Sequence, residues 1–121
     1  MTSSIRALSF LVLLVPATAQ ALPDGSVYVR DAVPGARVEA RYATTDNFVG
    51  QPVNGYRAPH VVLSQPAATA LARVAAELAP FGLGIKVFDG YRPQRAVDHF
   101  VRWAADLGDQ RTKARYYPEV D

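Results

Sequence analysis

The sequence predicts an α+β fold: a small sheet with two main helices packed on it. Three observations carry this. Two stretches hold apolar residues at helical spacing, each with a start signal and a stop signal. Several short apolar runs have strand length and are bounded by glycine, proline and asparagine. Strands and helices do not alternate as regular βαβ units, which argues against a parallel α/β sheet.

The first segment reads as a secretory signal. Arg6 supplies the positive charge, Ala7 to Val15 the apolar stretch, and Ala19-Gln20-Ala21 a small-x-small cleavage site. Residues 1–21 are therefore expected to be removed, leaving a periplasmic or secreted product that starts at Leu22. The apolar run is too short, and broken too soon by Pro16, to span a membrane, so no stable anchor is expected after cleavage. Residues 22–121 leave about 100 residues, one small domain. There is no cysteine, so no disulfide braces it. Thirteen Lys and Arg against eleven Asp and Glu give a net charge of +2, with the signs interspersed, which does not favour nucleic-acid binding.

Along the domain, Asp24-Gly25 and Val33-Pro34-Gly35 read as turns, and Val27 to Val29 as an edge strand. Val38 to Tyr42 alternates weakly and reads as a strand. Asp46 to Tyr56 carries Asn, Gly, Pro and Asn-Gly, an irregular loop or hairpin. Val61 to Leu63 reads as a strand. The first main helix opens at Ser64, an N-cap type, with Pro66 in its first turn. Leu71, Val74, Ala75 and Leu78 share a face, and Pro80 with Gly82 ends it. Leu83 to Phe88 reads as a buried strand. The second main helix runs from about Pro93 to Leu107, with Ala96, Val97, Phe100, Val101 and Ala104 inward and Gly108 as its stop. Asp98 and Arg102, four apart, are placed to pair. Arg111 to Pro118 reads as a polar, aromatic surface loop or short turn.

The most informative stretch is Phe88-Asp89-Gly90-Tyr91-Arg92-Pro93-Gln94-Arg95-Ala96-Val97-Asp98. It sets Arg92 where a strand ends and a helix begins. There, free backbone N–H groups and the helix dipole both favour an anion. An arginine at such a junction offers a planar fork of donors to a carboxylate or oxyanion. The plainer alternative is an arginine that pairs locally near a helix start. Asp89 either holds the loop by accepting backbone N–H bonds or orients Arg92, a supporting role in both cases.

Three blocks together resemble the VanX-type D-alanyl-D-alanine dipeptidases, zinc peptidases related to the D,D-carboxypeptidases. Arg41-Tyr42-Ala43-Thr44-Thr45-Asp46-Asn47-Phe48-Val49-Gly50 is similar to the family's "Y-A-T-x-D-N-F-x-G" block. Asp89-Gly90-Tyr91-Arg92-Pro93 with Arg95-Ala96-Val97-Asp98 is similar to "D-G-Y-R-P-x-R-A-V-D". Arg111-Thr112-Lys113-Ala114-Arg115-Tyr116-Tyr117-Pro118 is similar to "R-T-K-A-x-Y-Y-P". The blocks stand in the family's order and spacing and cover most of the chain from Glu39 to Asp121.

The resemblance implies zinc-dependent hydrolysis of the D-Ala-D-Ala dipeptide to two D-alanines. The physiological setting would be peptidoglycan turnover, D-alanine recovery or glycopeptide resistance. It implies that Arg92 stabilises the tetrahedral oxyanion. It places Tyr42 at the dipeptide, its hydroxyl near the substrate amino end. The alternative for Tyr42 is a core-packed ring with a wet hydroxyl. The family's zinc ligands lie in "S-x-H-x-x-G-x-x-x-D" and "E-x-x-H" blocks beyond the "Y-Y-P" run, and neither block precedes Asp121. No metal ligand is therefore assigned here. The expectation is an N-terminal part of the domain, an incomplete version of the peptidase fold.

His60 and His99 lack ligand spacing and read as structural or solvent-facing. Asp46 and Asn47 read as loop-shaping residues. Arg111, Lys113 and Arg115 read as a solvated basic loop, with attraction of acidic wall material as the alternative. The rival to the hydrolase is a non-catalytic chain without a metal site, at most a weak ligand-binding module.

Overall fold

The computed structural model describes residues 21–120. The proposed signal, apart from Ala21, lies outside them. The elements are β1 (Ser26–Tyr28), α1 (Val29–Ala32), β2 (Arg37–Val38), β3 (Val62–Ser64), α2 (Gln65–Leu78), β4 (Lys86–Val87), α3 (Gln94–Ala105) and α4 (Lys113–Tyr116), with single 3-10 turns at Arg41–Ala43 and Ala79–Phe81. The class is α+β, as the sequence predicts. β1 and β3 pair antiparallel, with Val27 opposite Leu63; β2 and β4 pair parallel, with Val38 opposite Val87.

Two buried clusters organise the chain. Val29, Val33, Ala40, Val61 and Ala68 form the first, covered by Leu63, Leu71, Ala72, Ala75 and Val87. Val49, Val53 and Ala96 form the second, packed by Tyr42, Phe48, Tyr56, Phe100 and Trp103. α2 thus lies over the strands, whereas α3 closes over the irregular loop between Tyr42 and Tyr56.

Ser64 does occupy the N-cap of α2, but its side chain makes no capping bond; Pro66 supplies the pre-set first turn. Gly82, at φ +69°, ends the helical segment in the left-handed region that a side chain resists. The inward face of α2 is Ala68, Leu71, Ala72 and Ala75, and Val74 turns outward. Alanines allow the close approach to Val29 and Val33.

α3 departs further. Its buried stripe is Ala96, Phe100 and Trp103, while Val97, Val101 and Ala104 face out. Both stripes have i, i+4, i+7 spacing, so periodicity alone does not separate them. The aromatic loop partners choose the first. Asp98 accepts from Gln94 Nε2 at 3.0 Å rather than pairing with Arg102.

The strands are shorter than expected. Val38 to Tyr42 keeps only its first residue in β2, because the chain folds into the 3-10 turn that carries Tyr42. Leu83 to Phe88 pairs only at Lys86–Val87, and Leu83 and Phe88 are exposed. Arg111 to Pro118 includes the one-turn helix α4.

Candidate functional site

The site begins with two close backbone approaches. Gly90 lies against β3: a Cβ there would meet the Val62 carbonyl oxygen at 2.4 Å, and the Tyr91 N–H donates to that oxygen at 2.7 Å. Gly55, at φ +97°, lies against the start of α3, where a Cβ would meet Pro93 Cγ and Arg95 Cγ at 2.7 Å. Only glycine combines that φ with that clearance. Together they set residues 55–56 and 89–92 side by side.

Arg92 sits between β4 and α3 as expected, with Pro93 at the N-cap position. Its Nη2 and Nε donate to Asp89 Oδ2 at 2.9 and 3.3 Å. Tyr56 donates its hydroxyl to the other oxygen, Asp89 Oδ1, at 2.9 Å. The guanidinium carbon stands 5.4 Å from the Tyr42 ring centroid and 5.1 Å from that of Phe100. Tyr42 is itself packed by Phe100 at 5.1 Å and Tyr56 at 5.4 Å. The Arg92 side chain remains 43% exposed while Asp89 is 21% exposed. A pair so open adds little stability. Its effect is orientation of a cation that uses two of its five N–H donors on Asp89.

The electrostatics are consistent. The Asp89 hydrogen bond, then contact with the Tyr56 hydroxyl, holds the Arg92 pKa above its ordinary value, so the cation is permanent. Burial raises the Tyr42 hydroxyl, and Arg92 partly offsets it. Burial first, and the Asp89 hydrogen bond second, push the Tyr56 hydroxyl far up, so it stays a donor.

A second cluster ties the N-terminal loop to α4. Asp46 pairs with Arg115 at 2.6 Å, lies 3.9 Å from Arg41, and accepts from the Tyr116 hydroxyl. Thr112 donates to the Phe48 carbonyl. Asn47, 2% exposed, donates to the carbonyls of Arg41, Thr44 and Gln51 and accepts from the N–H groups of Val49 and Gly50. It is the loop-shaping residue the sequence predicts; Asp46 is more, a clamp between distant segments. Arg111 pairs with Asp109 at 2.7 Å, so two cations of the basic run are neutralised internally.

Arg92, Asp89 and Tyr42, the three residues singled out from the sequence, thus converge, and the three sequence blocks meet around Tyr42 and Asp46. The family model described as D-ala-D-ala dipeptidase matches residues 23–121. This chain belongs to the D-Ala-D-Ala dipeptidase family. A D-alanyl-D-alanine dipeptidase of Streptomyces coelicolor is 47% identical over 93 residues, covering 77% of this chain and 46% of that protein. One of Enterococcus faecalis is 40% identical over 100 residues (83% and 50%), and one of Enterococcus faecium 41% over 97 residues (80% and 48%). The chain spans about half the length of these curated relatives.

This dipeptidase family is one of metallopeptidases, consistent with a metal cofactor. Among the described residues, no group of three or more His, Cys, Asp or Glu side chains is arranged to hold a metal ion. His99 is committed to the loop: Nδ1 accepts from the Asn54 N–H at 3.1 Å, and Nε2 faces Gln51 Nε2 at 3.4 Å. His60 packs edge-on to Tyr28. The described residues therefore do not fit a zinc site.

Sequence reasoning missed Tyr56 and the role of Phe100 as a wall for the cation. Tyr56 follows Asn-Gly in a loop with no periodicity, so nothing local marks it. Phe100 was legible as an inward helix residue, but not as a neighbour of Arg92.

Proposed function

We propose that this chain builds the oxyanion side and part of the substrate wall of an enzyme that hydrolyses D-Ala-D-Ala to two D-alanines. The observation that carries the reading is Arg92: a permanent cation, oriented by Asp89, walled by Tyr42 and Phe100, and still open to a ligand. Peptide hydrolysis places negative charge on the scissile carbonyl oxygen. A preorganised donor aimed at that oxygen lowers the barrier by roughly 3–4 kcal/mol. Tyr42, beside the same guanidinium, is the substrate-binding residue of the proposal. Zinc belongs to it through the family resemblance alone.

The test is D-alanine release from D-Ala-D-Ala by the zinc-loaded full-length enzyme as parent and by its Arg92→Ala variant. Release by the parent and a loss of about 10²-fold or more in Arg92→Ala support the reading. Equal rates in folded parent and variant overturn the role of Arg92. Saturable dipeptide binding without any release would favour the rival ligand-binding module.

Export is part of the proposal, on the strength of residues 1–21. No helix among the described residues is long and apolar enough to cross a membrane. N-terminal sequencing of the mature protein should begin at Leu22; an intact Met1 on membrane-held protein would refute it.

A further inference from the structure

We propose that Tyr56 is a positioning residue for Arg92: its hydroxyl occupies Asp89 Oδ1 and so confines the guanidinium to Asp89 Oδ2, in one orientation. The inference rests on the reading of Arg92 as the oxyanion residue.

The argument is geometric. A free carboxylate takes an arginine fork on both oxygens, two parallel bonds in one plane. Here both Arg92 bonds, from Nη2 at 2.9 Å and Nε at 3.3 Å, fall on a single oxygen. The second oxygen is held by Tyr56 at 2.9 Å. Without that hydroxyl, Asp89 can turn and accept Arg92 through both oxygens. The guanidinium plane would then rotate about the Asp89 contact, and its remaining donors would swing with it.

Tyr56 is itself held firmly. Its N–H donates to the Val53 carbonyl, its ring packs on Tyr42, and Gly55 seats the preceding backbone against Pro93 and Arg95. The groups that face it at the hydroxyl are Asp89 and Arg92. Burial and the Asp89 bond keep the hydroxyl protonated, so it has no titration near neutral pH and acts as a fixed donor. It does not need to touch substrate; it acts on Arg92 through Asp89 and through its own contact with the guanidinium.

The test uses the full chain, ¹⁵N-labelled, with the Arg92 Nε–Hε resonance assigned by its loss in Arg92→Lys. Tyr56→Phe keeps the ring and removes the hydroxyl. The Arg92 resonance should move and exchange with solvent several-fold faster, while backbone amides away from residues 42–56 and 88–94 stay in place. In the zinc-loaded full-length enzyme kcat for D-Ala-D-Ala should fall about fivefold with a smaller change in KM, the effect of one modest hydrogen bond expressed in the transition state. Asp89→Asn should also release Arg92, and adding Tyr56→Phe to it should have a clearly less than additive effect, since the Asp89 part of the relay is already cut. An unmoved Arg92 resonance in Tyr56→Phe, or additive effects in the double variant, overturns the positioning role. If the parent binds no D-Ala-D-Ala yet Tyr56→Phe still releases Arg92, the proposed function fails and the positioning role stands. Should Tyr56→Phe lose its folded spectrum, 3-fluorotyrosine at position 56 keeps the ring and hydroxyl with a stronger donor. An Arg92 resonance that ignores that change equally overturns the proposal.

Discussion

Gly90 and Val62 meet backbone to backbone. The Val62 carbonyl oxygen that receives the Tyr91 N–H would stand 2.4 Å from a Cβ on Gly90, with Val61 Cγ1 at 2.8 Å. A carbonyl in a strand cannot give way as the end of a flexible side chain can. Gly90→Ala must push the segment before α3 away from β3, at a cost on the order of 1–3 kcal/mol. A lower urea midpoint at unchanged slope is the expected result. A midpoint equal to the parent's would show that the approach is not tight.

Asn47 is expected to be the most sensitive polar position. Its side chain serves three carbonyls and two N–H groups from a buried site. Asn47→Ala leaves these groups without their partner and should cost roughly 2–4 kcal/mol. Asn47→Asp should do no better, because a carboxylate oxygen would face the three carbonyls that the amide N–H₂ now serves. Thermal melts of the two variants beside a surface control such as Glu77→Ala, exposed on α2, check this.

Stability should fall in acid through Asp46. The Tyr116 hydrogen bond, followed by the charges of Arg115 and Arg41, holds its carboxyl below the ordinary 3.8. A depressed folded-state pKa contributes stability above the unfolded value and loses it as pH falls through the folded value. Glu39, paired with Lys86 and Arg41, acts in the same sense below its ordinary 4.5. Tyr116 works at the other end. Its pKa is raised by Asp46, so its contribution is complete below pH 10 and is lost as pH rises further. Urea midpoints should therefore be flat near neutrality and drop below about pH 4. Asp46→Asn should shrink the acid drop; an identical pH profile would refute the clamp.

Arg92→Lys separates charge from shape. Lysine keeps the cation but not the planar fork that meets Asp89. Catalysis should recover only in part relative to Arg92→Ala, with kcat more affected than KM, because the contact strengthens in the transition state. Metal content should be the same in parent and variants. Full recovery in Arg92→Lys would mean that a point charge suffices and the Asp89 fork is incidental.

The outer stripe of α3 should tolerate charge. Val101 is 64% exposed, and Leu107, beyond the helix end, is 84% exposed. Exposed apolar patches promote association. Val101→Lys with Leu107→Lys should lower self-association in sedimentation without lowering the unfolding midpoint. A lower midpoint would place these side chains in contacts that stabilise the fold.

The sequence by itself determined the α+β class, both main helices, the turns at Gly25 and Gly35, and the junction that carries Arg92. Those features are local: helical spacing, a proline in a first turn, a glycine at positive φ. Three ordered blocks also pointed to the family, and so to Arg92, Asp89 and Tyr42. Only the tertiary structure decided which apolar stripe of α3 is buried, since two stripes with similar spacing compete and the loop aromatics select one. Only it turned Tyr42 out of a strand into a 3-10 turn over Phe100. Only it put Tyr56 on Asp89, thirty-three residues away in the chain. Contacts of that range depend on Gly90 lying against the Val62 backbone and Gly55 against the Pro93 and Arg95 side chains, and no local pattern encodes which distant segment a glycine will meet.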